Sequence, residues 1–278
     1  MWIADKLVYR GEDDFIRAYK GSVLMWEKGV PNNMIYYTSS DGQVINVTGE
    51  SSYWGASIVS NTYTDGRGII TFSGPVTKIG INRFLGQSRL TSISLPTGVT
   101  MIDNFAFCQC SGLSSIDLSY VTSFGNYILE DCTSLSSVIL NSSLTSIPKG
   151  LFEGCSGLTS VTIPSGVTSI ENEAFRNSGF IVLELPSGVT TIGDTVFTGS
   201  DLVSLTIPSS VTSMGVNLCQ GCEDLTEVIM YPTIPPSLGK GAFGRTSPDL
   251  LIKVPSGSVQ AYRSASVWSS YASKIVSQ

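Results

Sequence analysis

The sequence predicts an α/β-type solenoid: a stack of short parallel strands with few short helices, opened by a small β-rich module and closed by a C-terminal cap. Two observations predict it. The stretch Leu158 to Gly179, LTSVTIPSGVTSIENEAFRNSG, restarts at Leu90, Leu113, Leu135, Leu158, Phe180, Leu202 and Leu225, every 22 or 23 residues, with a weaker copy near Arg67. Periods of this length belong to stacked repeats, because one such coil cannot bury its own apolar edge. The columns also hold in register. Position ten reads Val76, Val99, Val121, Leu144, Val167, Val189 and Val211, each followed by threonine, and position eighteen reads Phe84, Phe107, Leu129, Phe152, Phe175, Phe197 and Cys219. A mostly aromatic spine is therefore expected along the stack.

Three regions follow: residues 1–66 as an N-terminal β-rich module or cap, 67–254 as the solenoid, and 255–278 as the C-terminal cap. In the first, WIADKLVYR reads as a strand. FIRAYKGSVLMWE reads as a hairpin centred on Lys20-Gly21 or Gly21-Ser22, and MIYYTSSDGQVINV as a second hairpin turning near Asp41-Gly42. Trp2, Tyr9, Phe15, Tyr19, Trp26, Tyr36, Tyr37, Tyr53 and Trp54 supply the apolar surface of a small β core. GESSYWGASIVSNTYTDGRG reads as loop-rich, so an exposed Tyr53-Trp54 pair is a candidate contact site.

Within each coil the L-x-x-I-x-L segment reads as a strand whose first, fourth and sixth residues point inward. Positions three and five then face out, as Ser92 and Ser94, Ser115 and Asp117, Ser137 and Ile139, Ser160 and Thr162, Val182 and Glu184, Ser204 and Thr206, and Glu227 and Ile229. Pro96-Thr97-Gly98, Pro164-Ser165-Gly166 and Pro186-Ser187-Gly188 end the strand, proline by removing a donor and glycine by permitting positive φ. The V-T-x-I segment forms a second ladder, and stretches such as IENEAFRNS read as one helical or 3₁₀ turn. At about 4.8 Å per coil, about eight coils make a body roughly 40 Å long. MYPTIPPSLGKGAF departs from the frame, Ile252 and Val254 restore a last strand, and SVQAYRSASVWSSYASKI reads as two short amphipathic turns or helices forming a lid.

Composition narrows the function. Only 14% of residues are charged and the net charge is -6; between Leu90 and Asp224, twelve acids face only Lys149 and Arg176. Such a body lacks the basic stripe that nucleic acid requires. No apolar run is long enough for a membrane-spanning helix, so no membrane insertion is expected. The opening MWIADKLVYRGEDDF does not have the basic-then-apolar form of a secretory signal; either the protein is not exported by that route or its leader has been removed.

The residue types do not favour catalysis. The chain has no histidine, which removes histidine-based triads and most general-base arrangements. Cys110, Cys132, Cys155 and Cys222 share position twenty-one with Ser178 and Ser200, and Cys219 replaces a spine phenylalanine, so the cysteines read as free core thiols rather than metal ligands. Glu12-Asp13-Asp14, Glu171 and Glu173, and Glu223-Asp224 read as solvated turn charge. No cofactor and no metal is expected.

A rigid repeat offers a broad, shallow surface suited to proteins. Ile139, Val182, Glu184, Glu227 and Ile229 break the serine-threonine monotony of the outward face and are the candidate partner-binding residues, with Tyr53 and Trp54 of the first module. The alternatives are a structural or assembly spacer attached through residues 1–66 and a polysaccharide-acting β-helix enzyme of similar period.

The pattern L-x-x-I-x-L-P-x-x-V-T-x-I-x-x-x-A-F-x-x-C, as in LTSISLPTGVTMIDNFAFCQC, resembles the BspA-like (type-5) leucine-rich repeats of bacterial surface proteins, and VPSGSVQAYRSASVWSSYASKI resembles the closing segment of that family. The resemblance covers roughly residues 67–278. It implies a leucine-rich-repeat solenoid, surface exposure or secretion, and adhesion to host extracellular-matrix proteins, bacterial surface proteins or other cells.

Overall fold

The computed structural model describes residues 30–47 and 50–278 with their side chains, and before them the backbone of three strands. Those strands are β1 (Lys6–Leu7), β2 (Arg17–Lys20) and β3 (Val23–Glu27), an antiparallel sheet in which Lys20 pairs with Val23 across the expected hairpin turn. Trp2, Tyr9, Phe15, Tyr19 and Trp26, expected in a first-module core, lie outside the described side chains.

Next come β4 (Met34–Ser39), β5 (Ile58–Thr64) and β6 (Arg67–Phe72). Two expectations fail here. Residues 34–47 form no hairpin: the chain does turn at Ser40 to Gly42, but the returning residues are not a strand, and Ile45 and Val47 instead drop into the core. Residues 58–68 are not loop, since β5 and β6 make an antiparallel hairpin turning at Asp65-Gly66, both left-handed, and only 50–57 before them are turn and coil. The β-branched and aromatic residues Ile58, Val59, Thr62, Tyr63 and Thr64 decided this over the small polar ones.

The solenoid strands run in chain order as β7 (Lys78–Ile79), β8 (Leu90–Ser94), β9 (Met101–Ile102), β10 (Ser115–Leu118), β11 (Ser123–Phe124), β12 (Ser137–Leu140), β13 (Ser146–Ile147) and β14 (Ser169–Ile170). They continue as β15 (Val182–Glu184), β16 (Thr191–Ile192), β17 (Ser204–Ile207), β18 (Ser213–Met214), β19 (Glu227–Met230), β20 (Ser237–Leu238), β21 (Leu251–Val254) and β22 (Ile275–Ser277). The L-x-x-I-x-L strands pair in parallel as β10-β12 and as β15-β17-β19-β21-β22; the V-T-x-I strands pair as β7-β9-β11 and β13-β14-β16-β18-β20. The first sheet is thus not continuous. The weak copy at Arg67 is half a coil: β7 pairs directly with β9, but β6 is separated from β8 by β4, antiparallel to both. Gly68 permits this, because a Cβ there would sit 2.0 Å from the Tyr37 ring.

The threonine column has a physical cause. Thr168 sends its backbone N–H (2.9 Å) and its hydroxyl (3.2 Å) to the carbonyl of Thr145, and Thr122, Thr190 and Thr212 repeat the double contact one coil back. A β-branched hydroxyl fits both the strand and the bond.

The expected helical turns are absent. IENEAFRNS and its counterparts are successive tight turns with left-handed residues at positions sixteen and twenty: Phe105 and Gln109, Tyr127 and Asp131, Gly150 and Gly154, Glu173 and Asn177, Thr195 and Gly199. This turns alternate N–H groups along the stack, so that Gly150, Phe152 and Gly154 donate to the carbonyls of Asn172, Ala174 and Arg176. A third ladder results, its N–H groups pointing to the next coil whereas those of the threonine ladder point to the previous one.

The spine is buried throughout, with Phe84 on Phe107 (4.9 Å between centroids), Phe152 on Phe175 (5.7 Å) and Phe175 on Phe197 (5.7 Å), each pair stacked with nearly parallel rings. Position twenty-one caps it: the thiols of Cys110, Cys132, Cys155 and Cys222 donate to the carbonyls of Phe84, Phe107, Leu129 and Phe197, while Ser178 and Ser200 donate to those of Phe175 and Phe197 in their own coils.

The lid contains the two expected short elements, α1 (Val259–Ser264) and a 3₁₀ turn at Trp268–Tyr271. It satisfies the proline-rich last coil: Tyr262 Oη donates to Pro232 O, Trp268 Nε1 to Pro236 O and Ser258 Oγ to Thr233 O, while Phe243 N–H donates to Tyr271 Oη.

Candidate protein-binding face

The outward positions of the first sheet form two rows set by strand register. Position three aligns Val182, Ser204, Glu227 and Leu251; position five aligns Glu184, Thr206, Ile229 and Lys253. Alternation along the strand places these side chains out while Leu183, Leu205 and Val228 are buried.

Of the candidates, Val182 is 57% exposed and Ile139 55%, and Glu184 is exposed. Ile229 and Glu227 are half-buried. Glu227 is engaged within its own face, ion-paired to Lys253 and accepting from Ser204 Oγ at 3.3 Å. The Lys253 ammonium, with help from that hydroxyl, holds its carboxyl below the usual range. Ile139 lies apart, on β12, beside Asp117 of β10.

Tyr53 and Trp54 are a correction. Trp54 is fully buried, packed on Phe72 and edge-on to Phe84 at 5.7 Å, where it begins the spine, and its indole N–H has no hydrogen-bond partner among the described residues. Tyr53 is half-buried with the Arg83 guanidinium 4.3 Å above its ring. A stack needs an apolar plug over its first coil, and the pair supplies that plug instead of a contact site.

Two further residues complete the face. Ile181 (51% exposed) and Val203 join Val182 as a contiguous apolar patch, Val203 N–H donating to Ile181 O at 2.8 Å. Position two otherwise reads Thr91, Ser114, Ser136, Thr159 and Thr226, so the departure was visible in the sequence. That position precedes the regular strand, where alternation does not set the side chain's direction. Exposed Asp201 and Glu184 flank the patch in sequence.

The turn side is polar. Tyr127 lies over Gly150 towards Glu173, Lys149 is 4.0 Å from Glu173, and Arg176 bonds Glu153 at 2.8 Å. Burial, opposed by Arg176, pushes the Glu153 carboxyl up. Burial likewise pushes the Cys110 thiol up to about 12, and Cys108, which faces Glu130, to about 12. Among the described residues no group of three or more cysteines and carboxylates is placed to hold a metal ion, and no helix is long and apolar enough to cross a membrane.

No curated protein matches the sequence. Among solved structures, a leucine-rich repeat protein from Bacteroides ovatus is similar at 22% identity, over 84% of this chain and 72% of that one, with a TM-score of 0.51. A leucine-rich repeat protein of T. pallidum is 24% identical over 64% of this chain and 75% of its own (TM-score 0.48). A leucine-rich cell surface protein from Faecalibacterium prausnitzii is 19% identical over 90% and 76% (TM-score 0.42). The family model for the BspA-type leucine-rich repeat region matches in six copies, over residues 61–182 and 145–265. With the stacked coils and the repeated columns, this match shows that the chain belongs to the BspA-type leucine-rich repeat family.

Proposed function

We propose that this chain is a non-catalytic scaffold that binds a protein partner on the outward face of its parallel strands, centred on Ile181, Val182 and Val203. The observation that carries the reading is the contiguity of these three exposed apolar side chains on adjacent coils of a face that is otherwise mostly hydroxylated. Contiguous apolar surface with a polar surround is the form of a protein contact site, and rigid strands hold it without ordering cost on binding. Glu184 and Asp201 favour a partner with basic residues around an apolar centre. The family directs the search to adhesion, with host extracellular-matrix proteins and bacterial surface proteins as the partner class.

The test is a pull-down of those two protein classes with the intact chain and with a Val182→Glu, Val203→Glu double variant of unchanged melting temperature. Capture by the intact chain and loss in the variant is expected. Equal capture by both would place binding elsewhere, and no capture by either would favour the spacer reading.

A further inference from the structure

We propose a second binding feature, which rests on the reading of the chain as a protein-binding scaffold: the wedge between β12 and the first segment of the Leu158 coil accepts an extended peptide strand from a partner. The Leu158 coil fits the repeat pattern, yet residues 158–163 form no strand, and among the described residues no backbone hydrogen bond joins them to 136–140. The other two ladders between the same two coils are closed. β13 pairs with β14, and Gly150, Phe152 and Gly154 donate to the following coil at 2.8 to 3.1 Å.

The opening reaches the core. Val138, Val161 and Ile163 occupy inward positions and are partly exposed, as Leu95 is beside β4, whereas Ile116, Leu183, Leu205 and Ile207 at such positions are 0 to 4% exposed. A cleft of about 270 Å³ lies there, lined by Val138, Ile139, Leu140, Thr162 and Pro164. Unpaired strand edges recruit strands, and apolar side chains at a gap favour an occupant that covers them.

The chain itself shows what fits such a wedge. At the start of the solenoid, β4 lies between β6 and β8 while the second-ladder strands β7 and β9 of the same coils stay paired, and Phe84 N–H still bonds Ala106 O at 2.7 Å. β4 buries Ile35 and Tyr37 and sets the Thr38 hydroxyl 2.6 Å from those of Thr91 and Ser92. The second wedge offers the same chemistry, with Val138, Val161 and Ile163 inside and Ser137, Thr159, Ser160 and Thr162 along its edges. Its occupant is an uncharged extended segment in which apolar or tyrosine side chains are interleaved with hydroxyl residues.

The probe is a fluorescein-labelled peptide of residues 32–40, NNMIYYTSS, which contains β4, titrated against the full chain by fluorescence polarisation. Thr162→Trp fills the cleft from an exposed position, and Thr206→Trp, on the closed part of the sheet, is its control; both are first shown to melt like the parent. Saturable binding is expected, weakened at least tenfold in the first variant and unchanged in the second, with the amides of 137–140 and 160–163 slowed in hydrogen exchange by the peptide. Absence of saturable binding up to about 1 mM peptide, or equal binding by Thr162→Trp, overturns the proposal. The Val182→Glu, Val203→Glu variant should still bind the peptide, so failure of the face and failure of the wedge are read separately.

Discussion

The Tyr127 hydroxyl donates a 2.6 Å hydrogen bond to Glu173 Oε2, two coils further along the stack. It gets there because the coil between presents Gly150, where a Cβ would lie 2.1 Å from the tyrosine ring and where φ is +60. One glycine therefore serves a left-handed turn and a side-chain crossing at once. Gly150→Ala should cost about 2 kcal/mol or more, from strain at positive φ and from displacing Tyr127. Tyr127→Phe, which keeps the ring and loses the bond, should cost about 0.5–1.5 kcal/mol. Urea unfolding of both variants checks the order.

Phe175 touches Phe152, Phe180 and Phe197 and is fully buried. Phe175→Ala should destabilise by about 3–5 kcal/mol. Since each coil holds only its neighbours, the loss should separate the two halves of the stack, read as a second transition in thermal unfolding.

Replacing Thr168 by valine keeps the β-branched shape and the backbone bond but removes the hydroxyl from the Thr145 carbonyl. The cost should be about 0.5–1 kcal/mol. A larger loss would mean that the column acts through more than this bond, and denaturant melts decide it.

All six cysteines are buried and unbridged. Burial pushes Cys108 and Cys110 up to about 12, so these two hold almost no thiolate at neutral pH; the Cys222 thiol is instead drawn down, chiefly by its hydrogen bond with Cys219, and is shielded by burial alone. A thiol reagent should label none of the six in the native protein at pH 7 and all of them in guanidinium. Mass spectrometry before and after denaturation tests this.

Glu153 is an acid whose folded pKa lies above its unfolded value, because burial outweighs the attraction of Arg176. Its contribution is most favourable below the ordinary carboxylate pKa and is lost as pH rises through the raised value, where the native state would otherwise hold one more proton than the unfolded chain. Glu153→Gln should raise the melting temperature at pH 7 relative to the parent and leave it nearly unchanged at pH 4. A loss at pH 7 would show that the Arg176 bond dominates.

Much of this architecture was legible because period and column identity are properties of the sequence alone. The threonines, the spine and the position-twenty-one cysteines each correspond to one interaction repeated down the stack. The turns misled for a physical reason: Phe105, Tyr127, Glu173 and Thr195 carry no mark of positive φ, which there is imposed by the third ladder and not by the residues. Trp54 misled because, Tyr53 apart, its neighbours in sequence are small, while its partners Phe72 and Phe84 come from a later strand and a later turn. On the candidate face, Val182 and Ile139 were readable as breaks in a polar row, whereas the pairing of Glu227 with Lys253 depends on a register that only the assembled sheet defines.

The place of β4 also dictates an order of events on the ribosome. Tyr36 lies in register between Ile69 and Ser94, and the second of these is synthesised last. At about 5–20 residues per second, one edge of β4 waits roughly 3–12 s for its partner after it is made. Until then the nascent chain has no finished first layer, and afterwards each new coil is laid on a completed one, so the molecule is assembled like a wall whose keystone sits in its lowest course.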